Sequence, residues 1–345
     1  MKCYATLLVI LSLLLTVAVL AEPATPNYHL LQTIAVGGDG GWDYLSIDSA
    51  AQRLYIGRFA GVTVVDVQKG VVAGEIPHLP GAHAAALAPK LHRGFTSNGR
   101  DDSVTVFDTD TLKEVARVKV GKGPDAILFD PFANRVFTFN GGSHDATVID
   151  AATATVVGTI VLGGRPEFPA TDECGHLFVN IEDKNEIAAI DVKTLTITHR
   201  WSLAPGDGPS GLAIDRVHHR LFSVCGNQKM VVMDSETGCV VATPTIGKGP
   251  DAAAFDPTTG LAFSSNGRDG TLTVIKETTP DTFTVVATVP TQRGSRTMAL
   301  DPTTHRIYLA AARFLPEPAT KPGETPRFHR PNIEPNSFAI LVFGM

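Results

Sequence analysis

The sequence lacks the motifs that mark common catalytic and cofactor sites. It contains no Cys-x-x-Cys-His haem attachment, no His-Glu-x-x-His zinc motif, no Gly-x-Ser-x-Gly elbow and no Walker loop. The glycine run at residues 37–41 lacks the spacing of a dinucleotide fingerprint. The sequence therefore requires no cofactor, and function has to be sought in a different arrangement of side chains.

Cysteine is scarce, with four residues in the whole chain. Cys3 precedes the apolar run of a predicted leader, which leaves Cys174, Cys225 and Cys239 for the folded protein. An odd number at unrelated spacings is not a disulfide framework. A single bridge is compatible with this pattern, and Cys174 with Cys239 is the pairing that we would expect first.

The long apolar run of the sequence lies at residues 7–20. Lys2 before it and small residues up to Ala21 predict a secretory signal peptide over residues 1–21. The run is short for a bilayer span, which needs roughly 20 residues. We therefore expect a periplasmic or secreted protein with no transmembrane span after cleavage; a retained membrane anchor is the alternative.

Positive charge is in slight deficit, because 29 Lys and Arg are set against 35 Asp and Glu, for a net charge of −6. Loss of Lys2 with the signal peptide makes the mature chain one unit more negative. Such a surface gives no strong signal for binding a nucleic-acid backbone.

The sequence repeats itself seven times at a period of about 40 residues. The clearest copies of its anchor phrase are Gly-Pro-Asp-Ala-Ile-Leu-Phe-Asp-Pro at 123–131 and Gly-Pro-Asp-Ala-Ala-Ala-Phe-Asp-Pro at 249–257. The second acidic position of this phrase aligns seven residues, which are Asp48, Ala88, Asp130, Asp172, Asp215, Asp256 and Asp301. This spacing predicts one repeat domain over residues 22–345.

Each repeat contains four short β-type segments, which in the third copy lie at 125–129, 135–139, 146–149 and 155–161. Helical periodicity is absent from the body of the chain. Seven such repeats predict an all-β, seven-bladed β-propeller with four antiparallel strands in each blade. The last repeat has three strands of its own, so the segment at 30–38 is expected to close its blade and cover the open edge.

These repeats resemble the YVTN-repeat (YncE-like) β-propellers of the bacterial cell envelope over roughly residues 28 to 345. Degraded copies of the family phrase are Phe-Thr-Phe-Asn at 137–140, Phe-Thr-Ser-Asn at 95–98 and Phe-Ser-Ser-Asn at 263–266. A later Val-Ile-Asp phrase stands at 148–150, whereas Lys276 replaces its Asp in the sixth repeat. The resemblance implies the propeller fold and says little about activity, because this fold hosts both binding proteins and enzymes.

One position of the repeat holds residues of different chemical types in different copies. It lies five residues before the aligned turn position and holds Asp43, His83, Asp125, Glu167, Ser210, Asp251 and Arg296. We expect each of these slot residues to open an innermost strand, so that all seven surround one mouth of the central channel. The structural alternative is that Asp125 and Asp251 only satisfy backbone groups of the preceding turn.

We predict that this mouth is the ligand-binding site. Crowded carboxylates raise one another's pKa or recruit a divalent cation, and Arg296 and His83 can hold an anion. On the loops that join second and third strands, Arg100, Arg268 and His144 are predicted to line the rim of the same face; solvated loop charges are the alternative.

A proline-rich insertion interrupts the last repeat at residues 313–336. Its composition predicts a stiff extended loop without regular structure. Because it emerges on the face that carries the slot residues, we expect it to act as a lid or a partner-docking arm, or else to be an excursion without a role.

Two classes of function are compatible with these features. The favoured one is an exported, monomeric, non-enzymatic protein that binds a small molecule, a peptide or an envelope protein at the channel mouth. The other is a lactonase-like or cyclase-like enzyme acting on a sugar acid or related ring, with His83 or Glu167 as acid or base and Arg296 stabilising an oxyanion. An electron-transfer propeller has least support, since the chain has two tryptophans and no haem motif.

Overall fold

The computed structural model describes residues 26–38, 41–316 and 332–345. The predicted signal peptide at 1–21 and most of the proline-rich insertion lie outside these residues. The described chain is all-β, with 27 strands and two single-turn 3-10 helices, Pro89–Leu91 and Glu182–Lys184. None of the described helices is long and apolar enough to cross a membrane.

The strands form the seven blades of a β-propeller, and each blade corresponds to one sequence repeat. The first strand of the chain, β1 (His29–Ala35), belongs to blade 7. The strands of blades 1 and 2 are β2 (Leu45–Asp48), β3 (Arg53–Gly57), β4 (Phe59–Asp66), β5 (Val71–Ala88), β6 (Arg93–Asn98), β7 (Ser103–Asp108) and β8 (Glu114–Lys119).

The middle blades follow the predicted plan most closely. The strands of blades 3 and 4 are β9 (Pro124–Asp130), β10 (Arg135–Asn140), β11 (Asp145–Asp150), β12 (Thr155–Val161), β13 (Pro166–Thr171), β14 (His176–Ile181), β15 (Glu186–Asp191) and β16 (Thr196–Ser202). Every strand predicted for the third repeat is present to within one residue at either end.

The remaining blades complete the ring. The strands of blades 5 and 6 are β17 (Pro209–Asp215), β18 (Arg220–Cys225), β19 (Lys229–Asp234), β20 (Val240–Ala242), β21 (Pro250–Asp256), β22 (Leu261–Asn266), β23 (Thr271–Thr279) and β24 (Thr282–Pro290). Blade 7 contributes β25 (Met298–Asp301), β26 (Arg306–Ala311) and β27 (Ala339–Gly344), and β1 pairs antiparallel with β27 as its fourth strand. The predicted closure of the last blade by the N-terminal strand is confirmed.

Blades 1 and 2 depart from the plan of separate four-stranded sheets. The 18-residue strand β5 is the outer strand of blade 1, where Val62 pairs with Ile76, and then the inner strand of blade 2, where Ala86 pairs with Phe95. The two blades therefore share one seven-stranded sheet, whereas the other five blades are four-stranded sheets.

Small residues let neighbouring blades approach closely near the channel. Ala126 and Ala252 are almost fully buried in inner strands. A Cβ atom added to Gly211 would lie 2.5 Å from the backbone nitrogen of Ala253 in the next blade. Glycine is required there because nothing larger fits between two backbones.

Arginines join neighbouring blades on the face opposite the slot residues. In blades 1 to 3 the first residue of the second strand donates to a backbone carbonyl of the next blade: Arg53 to Thr109, Arg93 to Ala151 and Arg135 to Val192. Each acceptor follows the third strand of its blade directly, so the same hydrogen bond recurs around this part of the ring.

The cysteines do not form the pairing that we expected first. Cys174, Cys225 and Cys239 are all free thiols, with Cys225 buried and the other two exposed. Burial raises the pKa of the Cys225 thiol to about 11, which keeps it in the unreactive protonated form at neutral pH.

Candidate functional site

Five of the slot residues lie within a strand. His83, Asp125, Glu167, Ser210 and Asp251 belong to β5, β9, β13, β17 and β21. Asp43 and Arg296 instead precede β2 and β25 by two residues, and His83 lies well inside the continuous strand β5, so the expectation that each slot residue opens a strand was wrong for these three. Because all inner strands run in the same direction, the seven residues lie at one end of the channel.

Polar residues of the preceding blade fix the backbone of several slot residues. The Ser97 hydroxyl of β6 donates to the carbonyl of Asp125, and the Ser265 hydroxyl of β22 donates to the carbonyl of Arg296. The Asn180 amide of β14 donates to the carbonyl of Ser210 over 2.8 Å. These bonds hold the strand starts in place and leave the slot side chains available to each other.

Five slot side chains form a continuous chain of polar contacts across blades 2, 1, 7, 6 and 5. His83 Nδ1 lies 2.6 Å from Asp43 Oδ2, and the other oxygen of Asp43 lies 3.1 Å from Arg296 Nη2. Arg296 Nη1 also binds Asp251, whose Oδ1 accepts a 2.8 Å hydrogen bond from Ser210. Two carboxylates of the ring are thus paired with the guanidinium of Arg296.

Asp125 lies beside this chain and is less well paired. Its Oδ1 is 3.3 Å from His83 Nδ1, yet this buried oxygen accepts no hydrogen bond within the described structure. Burial, together with the negative charge of Asp43, raises the pKa of Asp125 to about 6, although His83 acts in the opposite direction.

Glu167 carries the most perturbed carboxyl of the mouth. Its side chain is 12% exposed, and Oε1 lies 3.2 Å from Arg165 Nη2, whose other nitrogen reaches Glu182 over 3.1 Å. Burial, followed by repulsion from Asp125 and Glu182, raises the pKa of Glu167 to about 9 despite Arg165. At neutral pH Glu167 is therefore a protonated acid that can donate as well as accept a hydrogen bond.

Two aromatic side chains that our sequence analysis missed lie next to the slot residues. Tyr44 of blade 1 and Phe168 of blade 4 contact each other in a tilted arrangement, with ring centroids 4.4 Å apart. Each immediately follows a slot residue, at a position that is Ala, Gly or Thr in the other five repeats. This size difference at a fixed position was the available signal.

The Tyr44 phenol is affected by the negative charges of the slot residues. Burial raises its pKa well above its ordinary value, and the negative charges of Asp125, Glu167, Asp43 and Asp251 act in the same direction. The phenol therefore stays neutral. Arg165 was also missed, because it lies two residues before its slot and no other repeat has a basic residue there.

Three of the slot residues could hold a cation. Asp43, His83 and Asp125 each offer a donor atom, and these atoms lie within 4.8 Å of one another. Carboxylate and imidazole donors suit several divalent metals.

The predicted rim residues lie on exposed loops of the same face. A Cβ added to Gly99, in the loop of Arg100, would lie 2.8 Å from His83 Nε2, and one added to Gly267, beside Arg268, would lie 2.7 Å from Arg296 Cβ. Arg100, Arg268 and His144 are all exposed. They surround the mouth without belonging to the chain of slot contacts.

The base of the proline-rich insertion lies next to the mouth. Arg313 forms a paired contact with Glu334, at 2.7 and 2.9 Å, and Phe314 stacks on Trp42, the neighbour of Asp43, at 6.4 Å. The part of the insertion that we predicted to act as a lid or docking arm, residues 317–331, lies outside the described residues.

Comparison with known proteins identifies the fold and no family. The sequence matches no family model and no curated protein. A chain of the hydrazine synthase of Kuenenia stuttgartiensis superposes with a TM-score of 0.68 at 18% identity, covering 81% of this chain and 95% of that one. A chain from the crystal structure of a mitotic checkpoint complex superposes with a TM-score of 0.71 at 14% identity, covering 88% and 95%.

At these identities the likeness concerns the fold alone. The YVTN-repeat assignment stays a prediction from the sequence phrases. The chain is a β-propeller.

Proposed function

We propose that this protein is an exported, monomeric binding protein whose channel mouth receives a cationic group of a small ligand or of a peptide or protein partner. Export rests on the signal peptide predicted at residues 1–21, and binding rests on the channel mouth. A mature protein beginning near Glu22 in the periplasmic or secreted fraction is the expected product.

The uneven pairing of the ring carries this proposal. On one side Arg296 and His83 contact Asp43 and Asp251, so those acids already have partners. On the other side Asp125 has a buried oxygen without a hydrogen bond, and Glu167 keeps its proton at neutral pH. Perturbed buried carboxyls of this kind are concentrated at functional sites. An amine or guanidinium would donate a hydrogen bond to Asp125 and would add positive charge beside Glu167, next to that of Arg165.

The aromatic pair favours the same ligand chemistry. Tyr44 and Phe168 directly follow the slot residues Asp43 and Glu167, so a group bound beside these acids would lie near two aromatic rings. Cations bind well over aromatic faces, more so when partly desolvated. The exposed side chains of Arg100, Arg268 and His144 would then contact the less buried parts of a larger partner.

Binding is favoured over catalysis by the state of Arg296. Its guanidinium contacts two carboxylates, so it has little charge left for a developing oxyanion. His83 Nδ1 is held by Asp43. The enzymatic alternative keeps one supporting feature, because Glu167 with a pKa of about 9 is a proton donor at neutral pH.

Calorimetric titration with tri-lysine, tri-arginine and spermidine tests the proposal. We expect binding at pH 7 that weakens at least about tenfold in Asp125→Asn. Because a cation beside Glu167 favours its ionised form, binding should release up to about one proton, measured as a dependence of the heat on the buffer, and Glu167→Gln should abolish the release.

A matched control is Asp110→Asn, which removes the same charge from a side chain that is 69% exposed on the opposite face. This variant should bind like the parent protein. The proposal would be wrong if none of the cations binds, or if Asp125→Asn and Asp110→Asn bind equally. Turnover of lactones by the parent protein but not by Glu167→Gln would establish the enzymatic alternative instead.

A further inference from the structure

A second group of titratable side chains lies on the face opposite the channel mouth. Asp215 ends β17, His218 lies in the turn that follows, and Glu277 lies near the end of β23 in the next blade. His218 Nδ1 is 2.6 Å from Asp215 Oδ2 and 3.0 Å from Glu277 Oε1. One donor atom from each residue lies within 4.8 Å of the other two.

Glu277 occupies a position that is uncharged in the comparable blades. Its backbone N–H donates to Gly260, and the residues that make the same hydrogen bond in blades 1 to 5 are Val67, Thr109, Ala151, Val192 and Ser235. All of these side chains are buried. A small uncharged residue is therefore sufficient for the blade at this position, and Glu277 is the exception.

The two carboxylates of the group are deeply buried and close together. The side chains of Asp215 and Glu277 are 2% and 3% exposed. Neither carboxylate oxygen of Glu277 accepts a hydrogen bond from any described residue. Two buried carboxylates so close together can both be ionised only when a cation lies between them, and otherwise they share a proton.

The neighbouring basic residues are engaged elsewhere. Arg220 contacts Asp234 at 2.6 Å and Asp281 at 3.0 Å, and its Nε donates to the carbonyl of Pro280. In blades 1 to 3 the equivalent arginine donates to the backbone carbonyl at the position that Glu277 holds in blade 6. Arg220 donates to Pro280 instead, so this hydrogen bond between blades is altered here. Lys276 donates to the carbonyl of Thr259 over 2.5 Å.

We propose that Asp215, His218 and Glu277 bind one divalent first-row transition-metal ion, such as Zn²⁺, which fastens blade 5 to blade 6. One imidazole and two carboxylates form a donor set that zinc and its neighbours accept. His218 is 46% exposed, and a cavity of about 170 Å³ lined by all three residues opens beside it. The ion can enter from solvent and complete its coordination with water.

The chain contains a natural control for this site. His305 Nδ1 of blade 7 lies 2.7 Å from Asp256 Oδ2 of blade 6, so the same face carries a second Asp–His pair, here formed between two blades. Among the described residues the metal-compatible groups of three do not include this pair. It should therefore bind no metal, and the added carboxylate of Glu277 is what distinguishes the proposed site.

The test is calorimetric titration of the untagged, chelator-treated mature protein with Zn²⁺, accompanied by thermal melts. Glu277→Val gives this position the residue found in blades 1 and 4, so it is expected to fold. It should lose one equivalent of bound Zn²⁺ and the rise in melting temperature that the ion produces. His218→Gln should weaken the same equivalent at least about tenfold, and His305→Gln should leave it unchanged.

A separate variant distinguishes metal binding at the channel mouth from metal binding at the proposed site. An equivalent that Asp125→Asn removes and Glu277→Val retains belongs to Asp43, His83 and Asp125, and does not support the proposal. If the parent protein binds no Zn²⁺ at neutral pH, or if Glu277→Val binds as many equivalents as the parent, the two carboxylates share a proton and the proposal is wrong. Neither result bears on binding of cationic ligands at the mouth.

Discussion

The Tyr44 ring of blade 1 contacts the Phe168 ring of blade 4, with an angle of 37° between the planes. Blades 2 and 3 lie between these residues on one side of the ring and blades 5 to 7 on the other, so the contact crosses the channel. Tyr44 also packs against the cores between blades 2 and 3 and between blades 3 and 4. Phe168 packs against the cores between blades 4 and 5 and between blades 6 and 7. The pair therefore ties together blades that share no strand.

Truncation of this pair should destabilise the whole ring. We expect Phe168→Ala to lower the free energy of unfolding by about 2–3 kcal/mol, because it removes packing against several blades. A double-mutant cycle with Tyr44→Leu should give a coupling of about 1 kcal/mol. Urea unfolding measures both quantities. Phe132→Ala, at a ring that is 44% exposed, is the control and should have a much smaller effect; equal losses would show that the cross-channel contact contributes nothing.

Arg296 should matter for stability as much as for the charge of the mouth. Arg296→Met leaves Asp43 and Asp251 buried without their shared cation, and we expect a loss of about 2 kcal/mol, less than for a fully buried pair because the guanidinium is partly exposed. Adding Asp251→Asn should recover part of that loss in urea unfolding. Arg313→Met breaks an equally well-formed but exposed pair with Glu334 and should change stability little.

The raised pKa of Glu167 predicts that the free energy of unfolding declines as the pH rises. Its pKa is about 9 in the folded protein against an ordinary value of 4.5, so between these values the folded state binds a proton that the unfolded state has released. Stability contributed by this proton is complete below about pH 4.5 and is lost as the pH rises towards 9. Glu167→Gln cannot titrate, and it should lessen the fall in unfolding free energy between pH 5 and pH 8 by about 1 kcal/mol or more.

The control for this pH dependence is Glu236→Gln, at an exposed turn position. Its unfolding free energy should follow the pH profile of the parent protein. A Glu167→Gln profile parallel to the parent's would show that Glu167 is ionised in the folded state, and the polarity of the mouth would then have to be reconsidered.

The fold was predictable because every blade of a propeller packs in the same way, so the same residue pattern recurs in each repeat. Turn residues such as Asp130 and the apolar alternation of the third repeat determine strand limits to within a residue. The exception is β5, which runs on through Pro77 and Pro80, although the repeat plan predicted separate strands for blades 1 and 2. Pairing with β4 on one side and β6 on the other stabilises extended backbone there, and such long-range pairing cannot be deduced from local sequence.

The site was predictable only in part. Alignment of the repeats identified the positions that converge at the mouth, and it gave no information on which side chains would pair. That Arg296 contacts Asp43 and Asp251 while Asp125 lacks a hydrogen bond depends on rotamers and distances. On the opposite face, the sequence analysis did not identify His218 and Glu277 as a site, although Lys276 beside Glu277 departed from the repeat phrase. A charged residue at a repeat position that is buried and uncharged in the other blades was the available signal.

The shared sheet of blades 1 and 2 has a consequence for how the ring can open. β1 leads from blade 7 directly into blade 1, and β5 joins blade 1 to blade 2 by backbone hydrogen bonds. Blades 7, 1 and 2 thus behave as one reinforced arc, within which Arg296, Asp43 and His83 are also linked. Partial opening should begin among blades 3 to 6, where neighbouring sheets share no strand. We therefore expect blades 3 to 6, which carry Asp125 and Glu167, to exchange their backbone amide hydrogens sooner than blades 7, 1 and 2.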